Sequence, residues 1–166
     1  DLAAGAAGRR LDLGGVGVWH AGKRLRWELR GDRAWTAQPL TLPGEATCPA
    51  GCLQIVAGVP RPARLAGDEA LLDADAILGE VVLRPPRPGE RWRPLGAPGR
   101  KKLLRFLADR GLGAHARRYA PVLADGLGAL WLPGHGIAAR AAITDRSRRA
   151  WRCRFLAHDA AADAGP

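Results

Sequence analysis

The stretch PGERWRPLGAPGRKKLLRFLAD, residues 88–109, decides most of the fold prediction. Its second half places apolar side chains at helical spacing, at Leu103, Leu104, Phe106 and Leu107. Such a stripe predicts an amphipathic helix, which we assign to residues 99–110. Gly111 and Gly113 follow and would end the helix. The first half is rich in proline and glycine, which is typical of turns between short strands.

The segments on both sides of this stretch favour strands. Leu25, Trp27 and Leu29 alternate with charged residues, which is the period of a half-buried strand. Further strands are predicted near residues 39–59, 81–83, 121–123, 129–132 and 151–155. Residues 71–78 fit either a short helix or a strand followed by a tight turn. The pattern predicts an α+β fold, with a small β-rich segment followed by a mixed sheet and one main helix.

We divide the chain on the same grounds. Residues 1–35 are interpreted as a linker or the tail of a preceding domain, 36–82 as the small β-rich segment, 83–158 as the C-terminal domain and 159–166 as a disordered tail. The chain contains no Met and opens on Asp1, so we expect it to be a piece of a longer protein. No apolar run approaches the roughly 20 residues that a membrane helix needs, and no signal peptide is visible. The three cysteines fit a reducing cytoplasm, where we expect the protein to act.

The charge indicates a polyanionic partner. The chain has 26 Lys and Arg against 16 Asp and Glu, a net charge of +10. Residues 84–118 hold eleven of the cations, against only Glu90 and Asp109, so that this window carries 11 − 2, or +9. These cations are Arg84, Arg87, Arg91, Arg93, Arg100, Lys101, Lys102, Arg105, Arg110, Arg117 and Arg118. The alternatives are an arginine-rich composition without a function and a solvated basic face.

The position of three cations favours phosphate binding. Arg100, Lys101 and Lys102 fall in the first turn of the predicted helix, where a cation costs about 0.3 to 1 kcal/mol because the helix dipole is positive there. A bound phosphate would offset that cost. Trp92, between two arginines, could stack on a base, but a core position is the commoner role for such a residue, and Trp131 and Trp151 are assigned to the core.

No catalytic or metal site is predicted. The chain has no nucleotide-binding loop, no metalloprotease motif and no nucleophile elbow. Cys48 and Cys52 are too widely spaced for a zinc knuckle and lack a second ligand pair, so we interpret them as residues flanking a turn. Asp73 and Asp75 are likewise interpreted as turn residues.

The motifs of this region resemble those of a known family. PGERWRPLG (88–96), GRKKL (99–103) and FLAD (106–109), followed by PVL (121–123) and LWLPG (130–134), are similar to the C-terminal domain of bacterial tRNA(Ile)-lysidine synthetases, also called synthases. The resemblance extends over nearly all of residues 11–156. One departure is visible at Leu112-Gly113, where the family often has a proline after the helix.

The resemblance implies the function of a parent enzyme. That enzyme adenylates the wobble cytidine of tRNA(Ile) with ATP and then joins lysine to it, in an N-terminal domain whose pyrophosphate-binding loop this chain lacks. ATP, magnesium and lysine are therefore implied only for that domain, and no cofactor is expected here. The C-terminal domain would clamp the tRNA, including its acceptor stem. The predicted tRNA-binding residues are Arg91, Arg93, Arg100, Lys101, Lys102, Arg105, Arg117 and Arg118.

Two other interpretations stay open at this point. The chain could be a stand-alone RNA- or protein-binding module without catalytic activity. It could also be a degenerate structural domain whose charge only aids solubility. A homodimer is left open, and no membrane partner is expected.

Overall fold

The computed structural model of the protein describes residues 10–13, 16–21, 24–29, 35–58, 65 and 67–157. In the first three ranges, and at His115, only the backbone is described. The strands of these ranges, in chain order, are β1 (Arg10–Leu13), β2 (Val16–Ala21), β3 (Arg24–Leu29), β4 (Gln38–Leu40), β5 (Gly44–Cys48), β6 (Gly51–Ala57), β7 (Glu69–Asp73), β8 (Val81–Arg84), β9 (Arg91–Trp92), β10 (Lys101–Lys102), β11 (Val122–Asp125), β12 (Gly128–Leu132), β13 (Gly136–Ile137) and β14 (Ala150–Ala157). The helices are α1 (Leu103–Asp109) and α2 (Ala114–Tyr119).

A three-stranded antiparallel sheet is formed by β1, β2 and β3. The strand predicted from the alternation of Leu25, Trp27 and Leu29 is confirmed as β3. Residues 1–35, interpreted as a linker or tail, therefore contain regular strands. Residues 159–166, predicted to be a disordered tail, lie outside the described residues.

A five-stranded antiparallel sheet has the order β13-β12-β11-β8-β4. Its central strands are apolar on both faces, and Leu83, Leu123 and Trp131 are almost completely buried. The predicted strands at 81–83, 121–123 and 129–132 are confirmed, as is the core position of Trp131. Because both faces are covered, these strands appear in the sequence as continuous apolar runs rather than as alternating ones.

A four-stranded antiparallel sheet has the order β5-β6-β14-β7. Strand β14 lies in its interior and pairs with β6 on one side and with β7 on the other. Cys153 and Phe155 are buried on the inner face, while Arg152 and Arg154 lie on the outer face, as the alternation predicted. Trp151, which was assigned to the core, is only half-buried.

The two larger sheets share one hydrophobic core. That core contains Leu53 and Phe155 from the four-stranded sheet and Leu123 from the five-stranded one. Strand pairing also crosses the boundary that we predicted between residues 82 and 83, since β4 pairs with β8 and β6 pairs with β14. The division into domains stays a prediction.

The helix predicted for residues 99–110 begins later than predicted. Lys101 and Lys102 form β10, and the helix α1 starts at Leu103. The Leu103 amide donates a hydrogen bond of 2.8 Å to the Glu90 carbonyl, and Lys102 keeps an extended backbone. The prediction that Arg100, Lys101 and Lys102 occupy the first helical turn is therefore wrong, because pairing with β9 competes with the helix. The end of α1 is confirmed, since Gly111 has a left-handed backbone with φ of 84°.

The second helix, α2, was not predicted. Its six residues, AHARRY, have no apolar stripe, so the periodicity gives no signal. The α+β class is confirmed, with sheets dominating and two short helices in the described part of the chain. Residues 71–78 form a strand followed by a 3-10 turn at Ala74–Ala76, one of the two predicted alternatives.

Candidate nucleic-acid interface

Strands β9 and β10 form a two-stranded antiparallel ribbon that, together with one residue next to each strand, carries five cations. We call it the basic ribbon, and its cations are Arg91, Arg93, Arg100, Lys101 and Lys102. All five side chains are exposed. The structure therefore brings together five of the eight predicted tRNA-binding residues on one small element.

The ribbon is attached to the core through Trp92. This side chain is 3% exposed and packs edge-on against Phe106 of α1, with 5.0 Å between the ring centroids. The prediction that Trp92 is a core residue is confirmed. Because Trp92 is buried while Arg91 and Arg93 beside it are exposed, the tryptophan anchors the strand and the two arginines extend from it into solvent.

Contacts within the ribbon position the arginines without neutralising them. Arg91 donates to the Arg100 carbonyl at 3.5 Å, and Arg100 donates to the Arg91 carbonyl at 3.2 Å. Arg93 donates to the Ala97 carbonyl at 3.3 Å. In the part of the chain that the structure describes, none of the five cations forms a salt bridge with a carboxylate.

The register of the ribbon places like charges opposite each other. Arg91 and Lys102 are direct cross-strand partners. Side chains at such positions lie on the same face with their Cβ atoms about 4.5–5.5 Å apart, and like charges there are destabilising. An anion that bridges the two strands would relieve this repulsion.

The remaining three predicted residues lie on the helices. Arg105 is 78% exposed and pairs with Asp109 at 2.9 Å. Arg117 and Arg118 lie in the last turn of α2, where a cation interacts favourably with the helix dipole. These two arginines therefore have a structural role available that does not require RNA.

One cation of the basic window is structural and was not recognised in the sequence. Arg84 is 3% exposed and forms a bidentate pair with Glu90, at 2.6 and 3.0 Å. Burial by itself raises the pKa of Glu90, but the hydrogen bonds and charge of Arg84 outweigh it, so that the pKa lies below its ordinary value. The only signal in the sequence was the six-residue spacing across a Pro-rich turn, which does not predict a pair.

A second ion pair joins the buried Asp125 to the half-buried Arg140. Arg140 donates to both carboxylate oxygens, at 2.9 and 2.5 Å, and the Leu78 and Leu127 amides donate to the same carboxylate at 2.9 Å each. Burial raises the pKa of Asp125, yet these hydrogen bonds hold it below the ordinary value. The sequence indicated only the turn after Asp125, which is confirmed, and not this network.

A second group of arginines lies on and before β14. We call it the basic strand, and it consists of Arg149, Arg152 and Arg154. Arg149 pairs with Asp75 at 2.8 Å, and Arg152 pairs with Glu69 at 2.8 Å. Arg154 lies 3.9 Å from the same Glu69 carboxylate. The acids of β7 and of the turn after it therefore neutralise much of this group.

The cysteine and aspartate pairs have turn roles. Cys48 ends β5 and Cys52 is the second residue of β6. Cys48 is paired with Gly51 and Cys52 with Thr47, so the two thiols point to opposite faces of the hairpin and cannot share a metal. Asp73 accepts a hydrogen bond of 2.9 Å from the Asp75 amide, which confirms turn chemistry.

Neither a metal centre nor a membrane-spanning helix occurs among the described residues. Within them, no group of three His, Cys, Asp or Glu side chains could hold a metal ion. Their helices are also all too short or too polar to cross a membrane.

The sequence of this chain is similar to part of several known proteins. Residues 81–154 match the family model described as the TilS substrate C-terminal domain. The tRNA(Ile)-lysidine synthase of Symbiobacterium thermophilum is 39% identical over 100 residues, which are 58% of this chain and 21% of that protein. The tRNA(Ile)-lysidine synthase of Caldanaerobacter subterraneus subsp. tengcongensis is 35% identical over 68 residues, which are 41% of this chain and 15% of that protein. The matches thus span about a fifth or less of these curated relatives.

A solved structure shares the fold. The crystal structure of a TILS C-terminal domain superposes with a TM-score of 0.65 at 23% sequence identity. The match covers 75% of this chain and 99% of that one. At this identity the likeness establishes the fold alone.

Proposed function

We propose that this chain docks tRNA(Ile) for a tRNA(Ile)-lysidine synthase, because residues 81–154 match the model of the TilS substrate C-terminal domain. The enzyme would use ATP to join lysine to the wobble cytidine. Under this proposal the chain supplies RNA binding in the cytoplasm, while ATP, magnesium and lysine bind to the catalytic domain. The observation that carries the proposal is the basic ribbon, with five exposed cations that no described carboxylate neutralises.

The kinds of side chain on the described surface favour a duplex over a single strand. Double-stranded RNA is recognised mostly through its backbone and its shape, whereas single strands are bound by exposed aromatic platforms. Among the described side chains, the large exposed hydrophobic residues are all aliphatic, and Trp92 and Trp131 are buried. The acceptor stem of the tRNA is therefore the part that we propose for the ribbon.

The roles of the eight predicted residues follow from their contacts. Arg91, Arg93 and Arg100 would present guanidinium groups to successive phosphates, and Lys101 and Lys102 would add point charges. We propose that Arg105, Arg117 and Arg118 contribute at the edge of the interface. Each of these three has another role in the structure, so we expect smaller effects from their substitution.

The test is binding of this chain to a tRNA(Ile) transcript with the wobble cytidine, and to a non-cognate tRNA, at two salt concentrations. The key variant is Lys101→Glu/Lys102→Glu. We expect weaker binding and a salt dependence that becomes shallower by about 2, because each lysine would neutralise one phosphate. A preference for tRNA(Ile) would add recognition beyond the backbone.

A matched control is Arg146→Glu/Arg148→Glu. Both arginines are exposed, and the change in net charge is the same. The control should retain most of the binding, because these residues lie outside the ribbon. Equal losses in the two variants would show that only net charge matters, and absence of salt-sensitive binding in the unmodified chain would refute docking.

A further inference from the structure

A cleft lies beside the basic ribbon and has no role in the proposed docking. Its volume is about 410 Å³, within the range of about 300–1,000 Å³ that is typical of small-molecule sites. One wall is β7 and the other is the turn between β12 and β13, and Pro94 and Leu95 from the loop of the ribbon complete it. The cleft is thus continuous with the ribbon, because Arg93 precedes Pro94 directly.

The walls of the cleft are apolar and contain an aromatic ring. Leu71, Leu95 and Ile137 line it, together with Phe106. Phe106 also contacts Trp92 of the ribbon, so that the anchor of the ribbon and the wall of the cleft form one aromatic pair. Leu95 is 56% exposed, so its side chain is available to a ligand.

The cleft is lined by Glu69, which is paired with Arg152, and by two polar side chains that suit a nucleotide, Arg110 and His135. The Arg110 guanidinium lies 4.6 Å from the centroid of the Phe106 ring and also lines the cleft. A guanidinium positioned over an aromatic ring offers a surface on which a base can stack, and its charge suits the adjoining phosphate. His135 is half-buried, and burial, helped by the charge of Arg110, lowers its pKa, so its neutral ring can both donate and accept hydrogen bonds at neutral pH.

We propose that this cleft holds one unstacked nucleobase of an RNA whose duplex phosphates lie on the basic ribbon. The inference rests on the proposed docking function and adds a second point of contact to it. The base would be an unpaired nucleotide at the end of the duplex, because the ribbon and the cleft are joined through residues 93–95. The cleft would thereby detect that a stem ends, which backbone contacts alone cannot do.

The experiment compares two RNA stem-loops that differ only in one unpaired nucleotide after the duplex. In one RNA this nucleotide carries adenine, and in the other it is abasic, so that both have the same phosphates. We expect the whole 166-residue chain to bind the adenine-containing RNA roughly fivefold to a hundredfold more tightly, as is typical of one stacked base. Leu95→Glu and Arg110→Gln should reduce that ratio towards one.

The control variant is Leu127→Glu. Leu127 is 62% exposed and lies in the turn between β11 and β12, outside the cleft, so the same change of charge should leave the ratio intact. If the unmodified chain binds both RNAs with equal affinity and in a salt-sensitive way, the cleft proposal is overturned and the docking proposal stands. A base preference that survives in Leu95→Glu and Arg110→Gln would also overturn it, and failure to bind either RNA would overturn both proposals.

Discussion

The basic ribbon and the basic strand each contain three arginines, but these arginines form hydrogen bonds and ion pairs with different partners. Arg91, Arg93 and Arg100 bond to backbone carbonyls, which leave the positive charge in place. The arginines of the basic strand instead reach Asp75 and Glu69, which cancel much of it. An arginine count therefore does not locate a binding surface, because the distribution of acids around the arginines decides how much charge is available.

The largest effect that we predict concerns the support of the ribbon. Arg84→Met would leave the Glu90 carboxylate buried without its partner, because the two form a bidentate pair just before β9. We expect the free energy of unfolding to fall by about 3–5 kcal/mol, measured by urea denaturation. The double variant Arg84→Met/Glu90→Leu should recover much of the loss, and a single variant that loses less than about 1 kcal/mol would show that the pair is dispensable.

The next prediction would turn the basic strand into a surface like the ribbon. Glu69→Gln removes the negative charge that faces Arg152 and Arg154, and the carboxylate is only 8% exposed. We expect a loss of stability of about 1.5–3 kcal/mol, typical of hydrogen bonds to charged groups. We also expect stronger, non-selective binding to tRNA at low salt.

Asp145→Asn is the control for that experiment, because it removes the charge of an exposed carboxylate that has no described salt bridge. It raises the net charge equally and should change neither stability nor RNA binding by a comparable amount. Equal gains in RNA binding for both variants would mean that the pairing of Glu69 is irrelevant.

The pH dependence of stability tests two ion-paired carboxylates, Glu90 next to the basic ribbon and Asp125 in the five-stranded sheet. The folded pKa values of Glu90 and Asp125 lie below their ordinary values, so both carboxylates stabilise the protein above the unfolded values of about 4.3 and 3.9. This stability is lost as the pH falls through the folded pKa values. We therefore expect the urea midpoint to drop below about pH 4.5, with a smaller drop in Glu90→Gln. A midpoint that does not change down to about pH 3 would contradict these ion pairs.

The smallest effect should come from the exposed pair on α1. Asp109→Ala removes the partner of Arg105, but both side chains are largely solvated. We expect a change of only about 0.3–0.5 kcal/mol in the free energy of unfolding. The released charge of Arg105 should slightly strengthen tRNA binding, which a salt titration can detect. A loss above about 1 kcal/mol would show that the pair has a structural role that its exposure does not suggest.

Local patterns in the sequence predicted much of the fold. The two-residue alternation of β14 identified its buried and exposed faces, and the apolar runs identified β8, β11 and β12. Gly111 indicated the end of α1, because the backbone after the helix adopts a left-handed conformation that favours glycine. These features depend on neighbours in the sequence, which is why residue periodicity reports them.

The features that escaped prediction depend on distant residues. Arg149 lies 74 positions from Asp75, and Arg152 lies 83 positions from Glu69, so nothing local indicates that they are paired. The start of α1 was missed for a similar reason, because a hydrogen bond to Glu90 and pairing with β9 hold residues 101–102 extended. The composition of the candidate site was thus predictable, whereas its geometry was not.

The interior position of β14 has a consequence for how the protein is made. Its partners β6 and β7 end at residues 57 and 73, yet they can be joined only after residues 150–157 have been synthesised. During synthesis, β6 and β7 therefore remain without their shared partner while residues 74–149 are made. Contacts of such long sequence separation slow folding, and the exposed edges in the interim favour association with other chains. Truncation within β14 should accordingly produce an insoluble protein rather than a shorter folded one.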